Sequence, residues 1–554
     1  RWELHTVPDE TQGLALLPVG GVDAVLDPDA VVDFAGSASG RPFFNSDRNN
    51  FAPNIGVARQ LTDKLVARAG YALNYVLANN MTTVSNVLGA NAGLSQTVVL
   101  PGLGGTVSGG GLVPVEAPEF KIPRTARDGI LADSTAALFT FDPDLRTPYV
   151  QQWNVGLQYQ LFNDTAVEVR YVGNRGTDLL RAIDLNQLLL PEAFVEDFRR
   201  ARRNLAANGD PRIGDPLQIF PLLGFGGFLQ SGGVQNWIRN GEIGQYIGGF
   251  LAPNRIFFFN GEGGERYGAT LPISYFYANP NTFVGDVVGN YSYSEYDALQ
   301  LEVRRAWRAG FTAQFNYTWG QVLTDFAGSQ SNFRAFFDNA QPELERMRPW
   351  YDITHTLNGN WVWEIPVGEG RRWMDNRGAL SAVVGGWNLS GFVRVHSGEA
   401  ISIVSGRGTL NRGSRAYVNT VHLTGIDVEE LQRQTGVFHL EDGRVSLFDS
   451  SLLAEGGNGD PDIFLNPEML EAGTLPMTPL SGPWYATLDI GLRKYIPLPL
   501  TAAARAQLRF DFFNILNRTN FNVGTRQNPN STEFGLINSA FSAREIQVGT
   551  KFTF

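Results

Sequence analysis

Polar and apolar residues alternate with a period of two in short stretches spread along this chain. In residues 545–554, Ile546, Val548, Thr550, Phe552 and Phe554 fall on one side; Glu545, Gln547, Gly549, Lys551 and Thr553 fall on the other. Successive side chains of a strand point to opposite faces, so this spacing predicts an amphipathic strand. The pattern returns in 152–161, where Trp153, Val155, Leu157, Tyr159 and Leu161 alternate with amides and a glycine. It continues through 167–171, 299–304, 311–319, 356–365, 387–396, 486–493 and 505–512, with a weaker pair at 54–60 and 65–75. About eleven strands are predicted in this way, and residues 1–4 read as the tail of another.

The faces and the connections together choose the architecture. The polar faces are rich in charge and amide, and the apolar faces end in aromatics, as the interfacial belts of a membrane barrel do. Trp153, Trp319, Trp361, Trp363, Trp387 and Trp484 are the girdle candidates. A soluble sandwich, the alternative, would bury its apolar faces between two sheets. Short connections at 61–64, 163–164, 308–310 and 497–499, and a medium one at 368–385, alternate with long segments at 77–147, 174–291, 321–351, 405–483 and 517–543. Membrane barrels have short periplasmic turns and long external loops, which puts Phe554 on the periplasmic side. The expected fold is all-β: a transmembrane antiparallel β-barrel, multi-pass in a bacterial outer membrane, with residues 1–554 as one barrel domain and long extracellular loops containing short helices.

Two helices are expected in the loops. Residues 191–208 begin with Pro191, carry Glu192 and Glu196 early, place Phe194, Val195, Phe198, Ala201 and Leu205 on one face, and stop at Gly209. Residues 237–250 form the second, weakened by their glycines. Folded loops of this size commonly act as lids or binding surfaces.

Composition narrows the chemistry. Of 554 residues 62 are glycine and none is cysteine, so thiolate sites and disulfides are excluded. The net charge of −11 argues against a nucleic-acid partner. No run approaches the ~20 apolar residues of a membrane helix. The histidines His5, His355, His396, His422 and His439 have no metal-site spacing. Residues 102–111 are glycine-rich but lack the Lys-Ser/Thr of a phosphate loop, and there is no nucleophile elbow. Asn458, Asp460 and Asp462 are weak Ca²⁺ candidates, set against an ordinary Asp/Gly turn. Arg199, Arg200, Arg202 and Arg203 are candidate contacts for lipopolysaccharide phosphates or an anionic ligand, set against a solvated helix face salted to nearby acids. No catalytic residue and no cofactor is proposed.

Gln547, Gly549, Phe552 and Phe554 resemble the C-terminal β-signal read by the barrel-assembly machinery of the outer membrane. The stretch 509–521, Arg-Phe-Asp-Phe-Phe-Asn-Ile-Leu-Asn-Arg-Thr-Asn-Phe, resembles the penultimate strand of TonB-dependent receptors, especially the large Oar-like branch. Similar pieces follow in order at 49–56, 149–154, 171–176, 194–205, 296–300, 355–359 and 385–391, over nearly the whole chain. The resemblance implies a barrel of about 22 strands, preceded by a regulatory-like domain, a plug and a TonB box lying before Arg1. It also implies TonB as a partner through that missing N-terminal region, a setting in lipid and lipopolysaccharide, and import of an unknown bulky ligand. A surface structural or adhesion protein anchored by the barrel is the second reading, and a secreted carbohydrate-binding β-protein the third.

Overall fold

The computed structural model describes residues 1–4, 7, 10, 13–76, 84–85, 87–89, 91, 121–261, 263–326, 336–375, 378–410, 419–498 and 504–554. Alternation becomes sheet throughout. The strands are β1 (Asn54–Thr62), β2 (Leu65–Tyr75), β3 (Tyr149–Phe162), β4 (Thr165–Asp184), β5 (Gly285–Arg308) and β6 (Phe311–Thr324). They continue with β7 (His355–Glu364), β8 (Trp387–His396), β9 (Tyr485–Pro497), β10 (Arg505–Phe513) and β11 (Glu545–Thr553). Each pairs antiparallel with the next in sequence, so the sheet is an up-and-down meander. A twelfth strand, Leu138–Phe141, lies parallel to the start of β5. The sheet is open: β1 and β11 are its two edges and do not pair with each other.

Register sorts the side chains onto two faces. One row runs Leu157–Val169–Leu301–Tyr317–Leu357–Val395–Ala486 from β3 to β9, and the row below it runs through Val303, Phe315 and Val393 to Leu488. The opposite face carries Gln158, Glu168, Glu302, Asn316, Asn358 and Arg394. On the apolar face three aromatics lie directly across from glycines: Trp153 over Gly173, Phe315 over Gly359 and Trp361 over Gly391. A β-carbon on any of these glycines would sit within 2.3 Å of the ring. The ring covers backbone that glycine leaves bare, a pairing that fixes strand register.

One end of the sheet has tight turns. Ala309 and Gly310 both take left-handed φ, 54° and 79°, which suits a two-residue hairpin whose twist matches its strands. The 497–499 turn lies partly outside the described residues, as does all of 102–111. The other end carries the long segments, and these have cores of their own. Phe194, Phe198, Phe220, Tyr246, Ile247 and Phe276 centre a dome between β4 and β5. Leu17, Phe141, Leu180 and Val288 centre a second cluster, joined by residues that precede β1. Ile401, Leu447, Phe448, Phe464, Leu480 and Phe534 centre a third, made by the segments before β9 and before β11.

Three boundaries differ from those expected. Segment 174–291 is not all loop, since β4 runs on to Asp184 and β5 starts at Gly285. The extension is covered on both sides, with Leu180, Ala182, Val287 and Val288 all buried, so it shows no polar–apolar alternation. The helix expected at 237–250 is two pieces, Gly232–Arg239 and a π-helix at Gln245–Leu251. They are separated by Gly241 in the left-handed region at φ 71°, which a continuing helix does not allow. Residues 1–4 form no strand among the described residues; Trp2 makes an isolated bridge to Phe51.

Candidate ligand-binding rim and lumen

The helix Glu192–Asn208 organises the dome. Pro191 precedes it in extended conformation and Gly209 closes it at φ 72°. Phe194, Val195, Phe198, Ala201 and Leu205 are all buried, the face that the 3.6-residue period selects. Phe194 meets Phe276 edge to face at 4.8 Å and Phe220 at 5.5 Å. Asp197, also buried, is fully used: its carboxylate accepts from the amides of Gln218, Ile219 and Phe220 at 2.7–3.0 Å and from Arg200 at 2.8 Å. Tyr246 donates to the Gly227 carbonyl at 2.8 Å, and burial pushes its phenol well above the ordinary value.

The four arginines of this helix all meet acids. Arg199 pairs with Glu196 and Glu192, Arg200 with Asp197, Arg202 with Glu468, and Arg203 with Asp215 at 3.7 Å. Arg202 thereby ties the dome to the 405–483 segment, and its guanidinium lowers the Glu468 carboxyl. The same two segments also meet where the Gly244 amide donates to the Gly408 carbonyl at 3.1 Å.

Elsewhere on the rim, buried Arg181 of β4 pairs with Glu345 and lies 3.7 Å over the Phe336 ring. Arg348 donates to Asp352 at 2.7 Å, Ser481 at 3.1 Å and Thr354 at 3.1 Å, joining the loop before β7 to the loop before β9. Beside it a cavity of about 700 Å³ is lined by His355, Gln432, Thr435, Trp484 and Arg518. His355 stacks on Trp484 at 5.7 Å and bonds Tyr317 at 2.8 Å. His396 lies on the polar face, stacked on Tyr485. His355 pairs with Trp319 on the apolar face, so the cavity opens on the outer side of the rim, whereas His396 and Tyr485 lie on the polar side, where a hydrogen-bonding group and ring faces can orient a polar ligand.

The polar face of the sheet is a hydrogen-bonding ladder. Arg170 donates to Gln300, and Gln314 to Glu302 at 3.1 Å. A shallow cavity of about 190 Å³ opens there, between Glu168, Arg170, Glu302, Asn316 and Thr318. Arg181, Asp197 and Arg348 were not legible in the sequence, because their partners lie in other stretches of the chain and a charge held that way leaves no periodic signature.

Asn458, Asp460 and Asp462 sit in a turn. Asp460 accepts the Asp462 amide at 2.9 Å, and Asn458 donates to the Asn530 carbonyl at 2.8 Å. Among the described residues no three His, Cys, Asp or Glu side chains converge as metal ligands. Trp153, Trp319 and Trp484 lie towards the long-loop end, Trp363 and Trp387 towards the short-turn end, and Trp361 between them. Gln547 and Gly549 share the polar face with Asp511 and Arg509; Phe552 lies opposite Ala506 on the apolar face, and Phe554 follows the end of β11.

No curated protein matches the chain significantly. Among solved structures, the outer membrane transporter YddB from Escherichia coli aligns at 7% identity and TM-score 0.39, covering 94% of this chain and 42% of that one. The ferripyoverdine receptor of the Pseudomonas aeruginosa outer membrane aligns at 10% identity and TM-score 0.34, covering 94% and 35%. The siderophore receptor PiuA from Acinetobacter baumannii aligns at 8% identity and TM-score 0.33, covering 95% and 39%. The chain therefore spans less than half the length of each. A family model described as an outer membrane beta barrel domain matches residues 1–547, and the chain belongs to that family.

Proposed function

We propose that this chain is the barrel portion of a TonB-dependent receptor of the Oar-like kind. It would capture a bulky ligand on the long-loop rim and pass it along the polar face of the wall. One observation carries the reading: the long-loop end is built as three folded assemblies with buried cores, set above a sheet whose other face is a ladder of amides and charges. An anchor alone requires neither. In this reading the short-turn end and Phe554 are periplasmic. Gln547, Gly549, Phe552 and Phe554 serve the assembly machinery, and the tryptophans sit at the membrane interfaces. TonB would be the partner that supplies the work of import. Arg199 and Arg203, the most exposed of the helix arginines, are the ones placed to exchange their acids for lipopolysaccharide or ligand anions. The work is non-covalent, so no catalytic group is needed.

The test is uptake of radiolabelled ferric siderophore, oligosaccharide and peptide panels by cells making the full-length protein, with and without TonB. The reading expects one class to enter and entry to cease without TonB. No uptake of any class, together with loss of cell or matrix contact on deleting 174–291, would establish the adhesion reading instead.

A further inference from the structure

The medium connection at the short-turn end contains an unexpected helix, Ala379–Val384, with sequence Ala-Leu-Ser-Ala-Val-Val. It buries only Ser381, while Leu380 is 64% and Val383 67% exposed. Six apolar-rich residues left uncovered are not a stable helix in water. Something must hold this one in place, and something must cover it.

Lys494 holds it. Register puts Lys494 beside Trp387 and Leu508, on the apolar face in line with Leu492 and Ile490. A bare ammonium on a lipid-facing wall is costly. Here it donates to the carbonyls of Val383 and Gly385, both at 2.8 Å, and also to that of Ala382. These are the unpaired acceptors of a helix C-terminus, where a cation is favoured. The Trp387 ring lies 5.4 Å from the ammonium, and its indole N–H donates to the Val383 carbonyl at 3.0 Å. Chain crossing tightens the seat, since a β-carbon on either Gly368 or Gly385 would come within 2.8 Å of the other's Cα. The helix C-terminus therefore rests on the apolar face, and the buried lysine is replaced at the surface by Leu380 and Val383.

We propose that Ala379–Val384 is a membrane foot, seated in the headgroup–acyl boundary of the leaflet at the short-turn end, with phospholipid as its occupant. Continuity argues for lipid, because the surface beneath it is the apolar face of an outer-membrane barrel sheet. The neighbours agree. Ser381 of the helix donates to the carbonyl of exposed Met374 at 3.2 Å, and next to it in sequence Arg372 lies 5.7 Å over the ring of exposed Trp373, the aromatic-plus-cation composition of an interface. The short helix adds apolar reach at the rim and removes a charge from the wall.

The chain has no cysteine, so single nitroxides can be placed cleanly at Leu380 and Val383 in the full-length protein. The protein is reconstituted in phosphatidylcholine–phosphatidylglycerol vesicles, and relaxation by oxygen is compared with relaxation by a water-soluble nickel chelate. Both labels should favour oxygen, as one at Leu301 does, whereas one at the turn residue Asp63 should favour nickel. Nickel dominance at 380 and 383 overturns the proposal, and so does shielding from both reagents, which would mean a second copy or another protein covers the helix. Lys494→Met should make the label at 380 several-fold more mobile while leaving that at 301 unchanged; unchanged mobility at 380 removes the lysine's role. The wild-type labels decide the lipid contact even if that variant fails to assemble. None of these readouts depends on whether the protein imports a ligand.

Discussion

Two regions of the molecule use apolar side chains in opposite ways. In the wall, Val548 of β11 is 69% exposed and faces away from the protein, and Ile55, Val155, Leu299 and Trp319 are exposed in the same sense. In the dome between β4 and β5, Phe194, Phe198, Phe220 and Phe276 are wholly buried against one another. The dome is a water-type fold: it hides its greasy surface and turns Arg199 and Arg203 outward in ion pairs. The wall shows its apolar surface to its surroundings and keeps its polar groups on the other face. In a chain of an outer-membrane barrel family, a continuous apolar face of this kind is a membrane contact. One chain thus carries two solvent codes, and the boundary between them runs across β4 and β5 just beyond Gly176 and Ser292, where the two-residue alternation ends.

That boundary also explains what could be read from sequence. Wherever one face meets lipid and the other water, alternation is clean, and strands such as 311–319 and 486–493 were legible residue by residue. The helix at 192–208 was legible because water lies on one side of it and core on the other. Where both sides are covered, as at Leu180–Ala182 and Val287–Val288, the pattern vanishes and the strand extension was invisible. Gly241 broke a helix that apolar periodicity alone would have continued. The helix at 379–384 was hidden for a third reason: it is too short for periodicity, and the group that seats it, Lys494, lies over a hundred residues away in sequence. Of the site, the arginine cluster was visible as composition, with Glu192, Glu196 and Asp197 beside it on the helix, but the partner of Arg202, Glu468, belongs to another segment.

The contrast can be broken at either region. The largest effect is expected in the dome. Phe194→Ala leaves a cavity among Phe198, Phe220, Tyr246 and Phe276, at a cost of about 3–5 kcal/mol. Limited proteolysis should then cut within 187–283 while the wall stays folded, as judged by its heat-modifiable mobility in detergent gels. Loss of the wall as well would show that the two regions are not energetically separate.

Next comes the wall. Leu301→Arg places a guanidinium on the apolar face between Val169 and Tyr317, and should cost about 2–4 kcal/mol in bilayer folding titrations. Asn316→Arg, one strand over on the polar face and opposite Glu302, should cost little by comparison. Equal costs would contradict the assignment of faces.

The smallest effect is a pH dependence confined to the dome. Hydrogen bonds from Arg212 hold the Asp210 carboxyl at about 2, below its ordinary 3.8. Because the folded value is the lower one, the pair's contribution is complete above pH 3.8 and is lost as pH falls through about 2. The pair is open to solvent, which screens it, so the effect is small. Thermal melts of wild type and Asp210→Asn should differ slightly at pH 5 and converge near pH 2.

Lipid wets one face of the wall and water the other. Single cysteines along β9, reacted with a membrane-impermeant maleimide after reconstitution, test it most directly. Labelling is expected at Thr487, Asp489 and Arg493 and protection at Ala486, Leu488, Ile490 and Leu492. Uniform labelling, uniform protection or the reverse phase would contradict it.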